Sequence, residues 1–344
     1  MKMKKNIILA AAIAAALCSC ATTETAGTND AAAKKFESWI AKYHPEARKT
    51  ELGAYIISDK PGTGDAVGTY EDNLYVRLEY VSQTLAGTLK GYSSPDLAKQ
   101  MDAYDPTACY APLTICRTTS SNLAGLDESF CEMKVGGERT LAIPGWLTTY
   151  LLYDTADEYY KNSTGTDLIY DFKIVEAFND LDKWEADSIE RYISHAGIGS
   201  SSVQNDTTGF YYIRTGEPES EEDFSDSDTF TINYTGMRLD GQIFDTTIRD
   251  VAVDAGIYSS SKTYEPQKVT YATEYSDIQL ASSSVIDGFA MALAKMHPGE
   301  KATVIMSSTL GYGTSGSGSL INKYCPLRFD IEMVEYTVAE DSEE

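Results

Sequence analysis

The chain has 344 residues, with 52 Asp+Glu against 28 Lys+Arg and a formal net charge of −24. That balance argues against nucleic acid and anionic lipid surfaces as partners. Three histidines (His44, His195, His297) and cysteines outside any C-x-x-C pattern argue against a zinc site. The first residues, MKMKKNIILAAAIAAALCSC, place Lys2, Lys4 and Lys5 ahead of an apolar run from Asn6 to Leu17. That run is short of the roughly twenty residues a membrane-spanning helix needs, so residues 1–19 read as a removable targeting signal.

Within this segment LCSC (17–20) resembles a bacterial lipobox. The resemblance implies lipidation at Cys20, with more than one acyl chain for stable anchoring. Residues 20–34 are small and polar and read as a flexible tether. Ala21 is not an acidic retention signal, so the resemblance implies a cell-envelope protein anchored in the outer membrane, on either face. In such an oxidising compartment Cys109 and Cys116, close in sequence, are either bonded or free. Cys131 lies in an apolar helix pattern and reads as a core residue.

From residue 35 onward the chain is one pattern written twice. Phe36, Trp39, Ile40 and Tyr43 recur at i, i+3, i+4 and i+7, and so do Ile189, Tyr192, Ile193 and Ala196. Each set predicts an amphipathic helix, stopped by Pro45 and Gly197 respectively. Next come Gly–aromatic strands, GAYIIS at 53 and GFYYIR at 209, and then alternating strands, LYVRLEY (74–80) and FTINYTG (230–236). After a long irregular stretch, short helices are predicted within 123–138 and 285–300. Leu126, Phe130 and Met133 in the first match Phe289, Leu293 and Met296 in the second. RTLAIP and KATVIM come after these helices, and each copy closes on an alternating strand, 168–178 and 327–336. The fold class is therefore α+β, two tandem domains of mostly antiparallel sheet with one short helix packed across each. The expected boundaries are 35–178 and 179–338, with an acidic tail at 339–344. The acidic run 217–228 lacks the spacing and glycine of a calcium loop.

GYGTSG (311–316) matches the dinucleotide pattern G-x-G-x-x-G. A strand precedes it, but Gly/Ser residues, Pro326 and a strand with Leu327, Phe329, Ile331 and Met333 on one face come after it. No helix N-terminus is available to hold a phosphate, so these glycines join two strands.

The second copy resembles the FKBP-type peptidyl-prolyl isomerases. Four motifs carry the resemblance in order: NYTGMRLDGQIFDTT (233–247), VIDGFAMALAKMHPGEKATVIM (285–306), LGYG (310–313) and LRFDIEMV (327–334). It implies an apolar cup of Tyr234, Phe244, Asp245, Ile278, Val285, Ile286, Phe289, Tyr312 and Phe329. In that reading Tyr312 binds the substrate carbonyl and Phe244, Val285, Ile286, Phe289 and Phe329 hold the proline ring and exclude water. Asp245 bonds to Tyr234 and shapes the wall. Phe289 stands where the family usually has tryptophan, and Ile278 where it often has phenylalanine. The chemistry asks for no metal, nucleotide or other cofactor. The implied partners are proline-containing, unfolded or partly folded exported polypeptides.

The first copy keeps the scaffold and departs at the cup. Tyr80 matches Tyr234, no Phe-Asp pair comes after it, Leu126 replaces the floor, Thr149 or Tyr150 stands at the loop tyrosine, and Tyr170 at Phe329. It is expected to be a poor isomerase or inactive. The stretch 249–277 is longer than compact members need and reads as a client-binding flap or an inert insertion. The alternative for the whole chain is a non-catalytic chaperone or binding lipoprotein on the same scaffold.

Overall fold

The computed structural model describes residues 29–118, 123–150, 153–162, 165–198, 203–205 and 209–337. The expected signal segment, Cys20, most of the tether and the acidic tail lie outside these residues. The chain divides into two compact units. Of the described residues, one unit holds those through Val76 with those in 80–92 and 115–177; the other holds those in 77–79, 93–114 and from Phe178 onward.

In the first unit helix α1 (Asp30–Tyr43) buries Phe36 and Ile40, the expected apolar stripe. Strands β1 (Arg48–Lys49), β2 (Tyr55–Lys60), β3 (Tyr75–Thr84) and β4 (Leu89–Tyr92) come after it. Helix α2 (Pro95–Gln100) is next in the chain and belongs to the second unit. Then come β5 (Leu113–Cys116), α3 (Ala124–Phe130), β6 (Glu138–Ile143), α4 (Ala156–Asn162) and β7 (Leu168–Phe178). The sheet order is β1-β2-β6-β7-β3-β4, with β5 paired to β3. Leu126, Phe130 and Met133 are buried as expected, Phe130 edge-on to Phe172 at 5.7 Å. Cys131 corrects the expectation: it caps the C-terminus of α3 and is exposed, because the helix stops one residue earlier. Among the described residues Cys109, Cys116, Cys131 and Cys325 form no disulfide with one another.

The second unit's main helix is α5 (Leu181–His195), whose Asp180 cap accepts the Lys183 amide at 2.9 Å. Its Ile189 and Ile193 pack against Tyr211, Ile213 and Ile305. The sheet is built from β8 (Val203–Asn205), β9 (Phe210–Gly216), β10 (Thr229–Arg238), β11 (Ile243–Thr246), β12 (Gln267–Thr270), β13 (Gln279–Leu280), β14 (Ser283–Ser284), β15 (Lys301–Met306) and β16 (Leu327–Thr337). Its order is β14-β13-β12-β10-β16-β15-β9-β8, with β11 paired to β10. Helix α6 (Arg249–Asp254) follows β11, and α7 (Asp287–Lys295) precedes β15. Phe289, Ala292 and Leu293 of α7 join Val304, Phe329, Ile331 and Met333 in one apolar core. Gly288 permits the approach of α7 to β15, since a Cβ there would lie 2.5 Å from the Met306 sulfur. The fold is α+β, as the two alternating patterns predicted.

Candidate active site

A cavity of about 740 Å³ opens on the second unit. Eight of the nine predicted positions line it: Tyr234, Phe244, Asp245, Val285, Ile286, Phe289, Tyr312 and Phe329. They arrive from separate stretches of chain. Tyr234 comes from β10, Phe244 and Asp245 from β11, Val285 and Ile286 from the approach to α7, Phe289 from its first turn and Phe329 from β16. The rings interlock edge to face, Phe289–Phe329 at 4.9 Å, Tyr234–Phe289 at 5.4 Å and Phe244–Phe329 at 5.6 Å. Such geometry sets the negative face of one ring against the positive edge of the next.

Ile278 is the exception. It is 1% exposed and sits inside the apolar core, off the cavity wall, because the turn Tyr275–Asp277 delivers it inward. Leu280, Ser284 and the loop 317–321 supply the remaining wall, and none of these was predicted. Gly236 was missed as well. It pairs with Phe329 on one side and Asp245 on the other, and a Cβ there would stand 2.7 Å from both the Phe244 and Phe329 rings. The glycine is what lets the two phenylalanines close over β10.

Polar groups also face this apolar surface. The Tyr234 hydroxyl donates to Asp245 Oδ2 at 2.7 Å, the bond the resemblance implied. Lys262 donates to the other oxygen, Oδ1. The carboxylate is thus engaged on both sides, and Lys262 comes from the long 249–277 stretch. Burial, and then the Asp245 charge, push the Tyr234 phenol well above its usual range. Burial and Asp245 raise Tyr312 in the same way, so both remain protonated donors at neutral pH. The Tyr312 hydroxyl has no hydrogen-bond partner among the described residues, and it lines the cup half-buried.

The loop that carries Tyr312 is fixed by backbone bonds. Gly313 N donates to Ser308 O (2.7 Å), Tyr324 N to Gly313 O (2.9 Å), and Ser317 and Ile321 exchange a reciprocal pair. Glu185 of α5 holds the start of the loop by accepting the Ser308 amide at 2.8 Å. Turns, not a helix, come after GYGTSG, as the sequence required. Away from the cup Glu300 is fully buried and accepts from Tyr212 (2.7 Å), Arg214 (3.1 Å) and the His297 amide (3.0 Å). Among the described residues no cluster of three His, Cys, Asp or Glu could hold a metal ion.

Residues 220–334, which carry this cup, match the family model of FKBP-type peptidyl-prolyl cis-trans isomerases. Residues 220–334 are an FKBP-type domain. The human peptidyl-prolyl cis-trans isomerase FKBP9 is 25% identical over 275 residues, covering 78% of this chain and 36% of its own length. The bovine peptidyl-prolyl cis-trans isomerase FKBP11 is 33% identical over 108 residues, covering 31% of this chain and 41% of its own. The chain thus spans well under half the length of these relatives. Among solved structures, FkpA from Escherichia coli is 24% identical with a TM-score of 0.31, over 46% of this chain and 63% of that one.

In the first unit the positions matching the FKBP-type cup are filled differently. Tyr80 stacks on Tyr170 at 6.1 Å and 22°, and a Cβ on Gly91 would stand 3.0 Å from the Tyr80 hydroxyl. Burial pushes the Tyr170 phenol up to about 12.

Proposed function

We propose that the second unit catalyses cis–trans isomerisation of X–Pro bonds in exported polypeptides, in a protein held at the outer membrane of a cell envelope through a lipid on Cys20. The observation that carries the isomerase reading is the aromatic cup itself, with the Tyr312 phenol free at its wall among the described residues. Rotation about an X–Pro bond breaks amide resonance, against a barrier of roughly 18–20 kcal/mol, and takes tens to hundreds of seconds uncatalysed. A twisted amide is less dipolar than a planar one, so a water-excluding apolar wall favours it over the ground state. Phe244, Phe289 and Phe329 supply the wall with Val285 and Ile286. Tyr312 donates to the substrate carbonyl and holds the chain still while the bond turns. Asp245 keeps Tyr234 oriented through their 2.7 Å bond and is itself tied down by Lys262.

The test is refolding of a proline-limited protein with the full chain. Wild type is expected to accelerate the slow phase, Tyr312→Phe to lose about tenfold, the worth of one hydrogen bond to the reacting group, and Phe329→Ala to lose most of the effect. A folded wild type without acceleration overturns the reading. The stacked Tyr80–Tyr170 pair favours a different role for the first unit, a binding or spacer domain without turnover.

A further inference from the structure

The second unit contains the same small device twice. In one copy α2 is capped by Ser94, Asp102 turns the chain at φ 56°, and Tyr104 stacks on Tyr110 at 5.5 Å and 15°. The Tyr110 hydroxyl accepts the Asp105 amide at 3.0 Å. In the other, α6 is followed by Gly256 at φ 72°, and Tyr258 stacks on Tyr264 at 5.4 Å and 18°. The Tyr264 hydroxyl accepts the Ser259 amide at 2.9 Å. Every matched residue is 154 positions apart. The long stretch after β11 is therefore a duplicated element, present in both repeats.

The first copy is bolted to the rim of the cup. Ser319, which lines the cup, donates its hydroxyl to Thr107 O at 2.6 Å, and its carbonyl accepts the Cys109 amide at 2.7 Å. Gln242 donates to Pro106 O (2.7 Å) and Ala108 O (3.0 Å). Pro106 in turn packs on Gly256, where a Cβ would stand 3.1 Å from the proline ring. Between the two devices lies a crevice of about 950 Å³, walled by Tyr104, Pro106, Tyr110, Ile243, Val251 and Ala255. Arg238 and Asp240 in its wall pair with each other, and Arg77 and Asp254 also stand in the wall.

Cup and crevice adjoin along β11. Ile243 lines the crevice while its neighbours on β11, Phe244 and Asp245, line the cup. Successive strand residues rise only about 3.3 Å each, so β11 is a narrow sill between the two hollows. Ser319 joins the cup to the first device directly.

We propose that this crevice is a second polypeptide subsite, which holds aliphatic or aromatic side chains of the client chain flanking the X–Pro bond. It rests on the isomerase reading of the cup. A client seated in both hollows is held on one side of the rotating bond by the crevice and at the proline by the cup. Binding energy remote from the reacting bond then resists slippage while the amide turns. Tyrosine and proline faces suit apolar, extended chain at low ordering cost.

The experiment uses the full chain and two probes, a tetrapeptide that fills only the cup and a twelve-residue peptide with the same X–Pro centre and leucine and phenylalanine flanks. Isomerisation is read by NMR exchange and binding by fluorescence anisotropy. Val251→Asp and the more exposed Tyr104→Ser are each expected to weaken the long peptide about tenfold and leave the tetrapeptide unchanged. Equal effects on both peptides, or none on either, overturn the crevice. A wild type that binds the long peptide through Val251 and Tyr104 but accelerates neither peptide supports the crevice and overturns the isomerase reading.

Discussion

Replacing Gly236 by alanine tests how the cup is built. The new Cβ would meet Phe244 Cε2 and Phe329 Cε1 at 2.7 Å each and Phe244 Cζ at 2.8 Å. Carbon atoms in contact prefer about 3.5–4.0 Å, so something must withdraw by roughly 1 Å. Phe329 is 5% exposed and braced by Phe289 at 4.9 Å, so it has nowhere to go. Phe244 is half-buried at the cavity wall and is the ring that swings outward. Overpacking of this kind costs about 1–3 kcal/mol in stability. A displacement near 1 Å in a positioning group costs up to about a hundredfold in rate. We expect Gly236→Ala to fold, to melt several degrees lower, and to lose isomerisation of a proline tetrapeptide by about 10- to 100-fold. Thermal unfolding and NMR exchange read the two effects. A variant with wild-type turnover would refute the idea that close approach of Phe244 and Phe329 over β10 makes the cup.

Glu185 predicts a pH effect. Its Oε2 accepts the Ser308 amide at 2.8 Å, while Oε1 and the Ser308 hydroxyl lack hydrogen-bond partners among the described residues, and burial raises the carboxyl above its usual value. A carboxyl raised on folding favours the protonated form, so its contribution is full below the unfolded pKa and is lost as pH rises through the folded one. Glu185→Gln should therefore raise the melting temperature at pH 8 more than at pH 4; an equal change at both would contradict it. Glu300→Ala strands Tyr212, Arg214 and the His297 amide around a buried site, and urea denaturation should show a loss of about 3 kcal/mol or more. A loss below about 1 kcal/mol would mean that water replaces the carboxylate there.

Much of this was legible because the period of the side chains is the period of the fold. Strict alternation from Leu327 to Met333 could only be a half-buried strand, and β16 is one, with Phe329 delivered to the cup. The apolar stripe of Phe289 and Leu293 likewise placed α7 against the sheet. Ile278 was misplaced because its direction depends on a short turn with no periodic signal. Cys131 was misplaced because an apolar pattern ran past the true helix end by one residue. Gly236 was invisible for another reason. Its role is an absence of atoms, and only the rings from two other strands reveal it. The paired tyrosine devices did leave a trace, tyrosines six apart with a proline two residues later at 104, 110 and 112 and again at 258, 264 and 266. Irregular composition hid that trace, since turns held by a tyrosine hydroxyl have no hydrophobic period.

The most direct test of the central claim is the cis–trans exchange rate of a proline tetrapeptide measured by NMR with catalytic amounts of the full chain. Uncatalysed exchange takes tens to hundreds of seconds. Wild type is predicted to make it far faster, and Phe329→Ala to return it nearly to that timescale. Binding of the peptide by a folded wild type with no change in exchange would contradict the account and leave a scaffold that holds prolines without turning them.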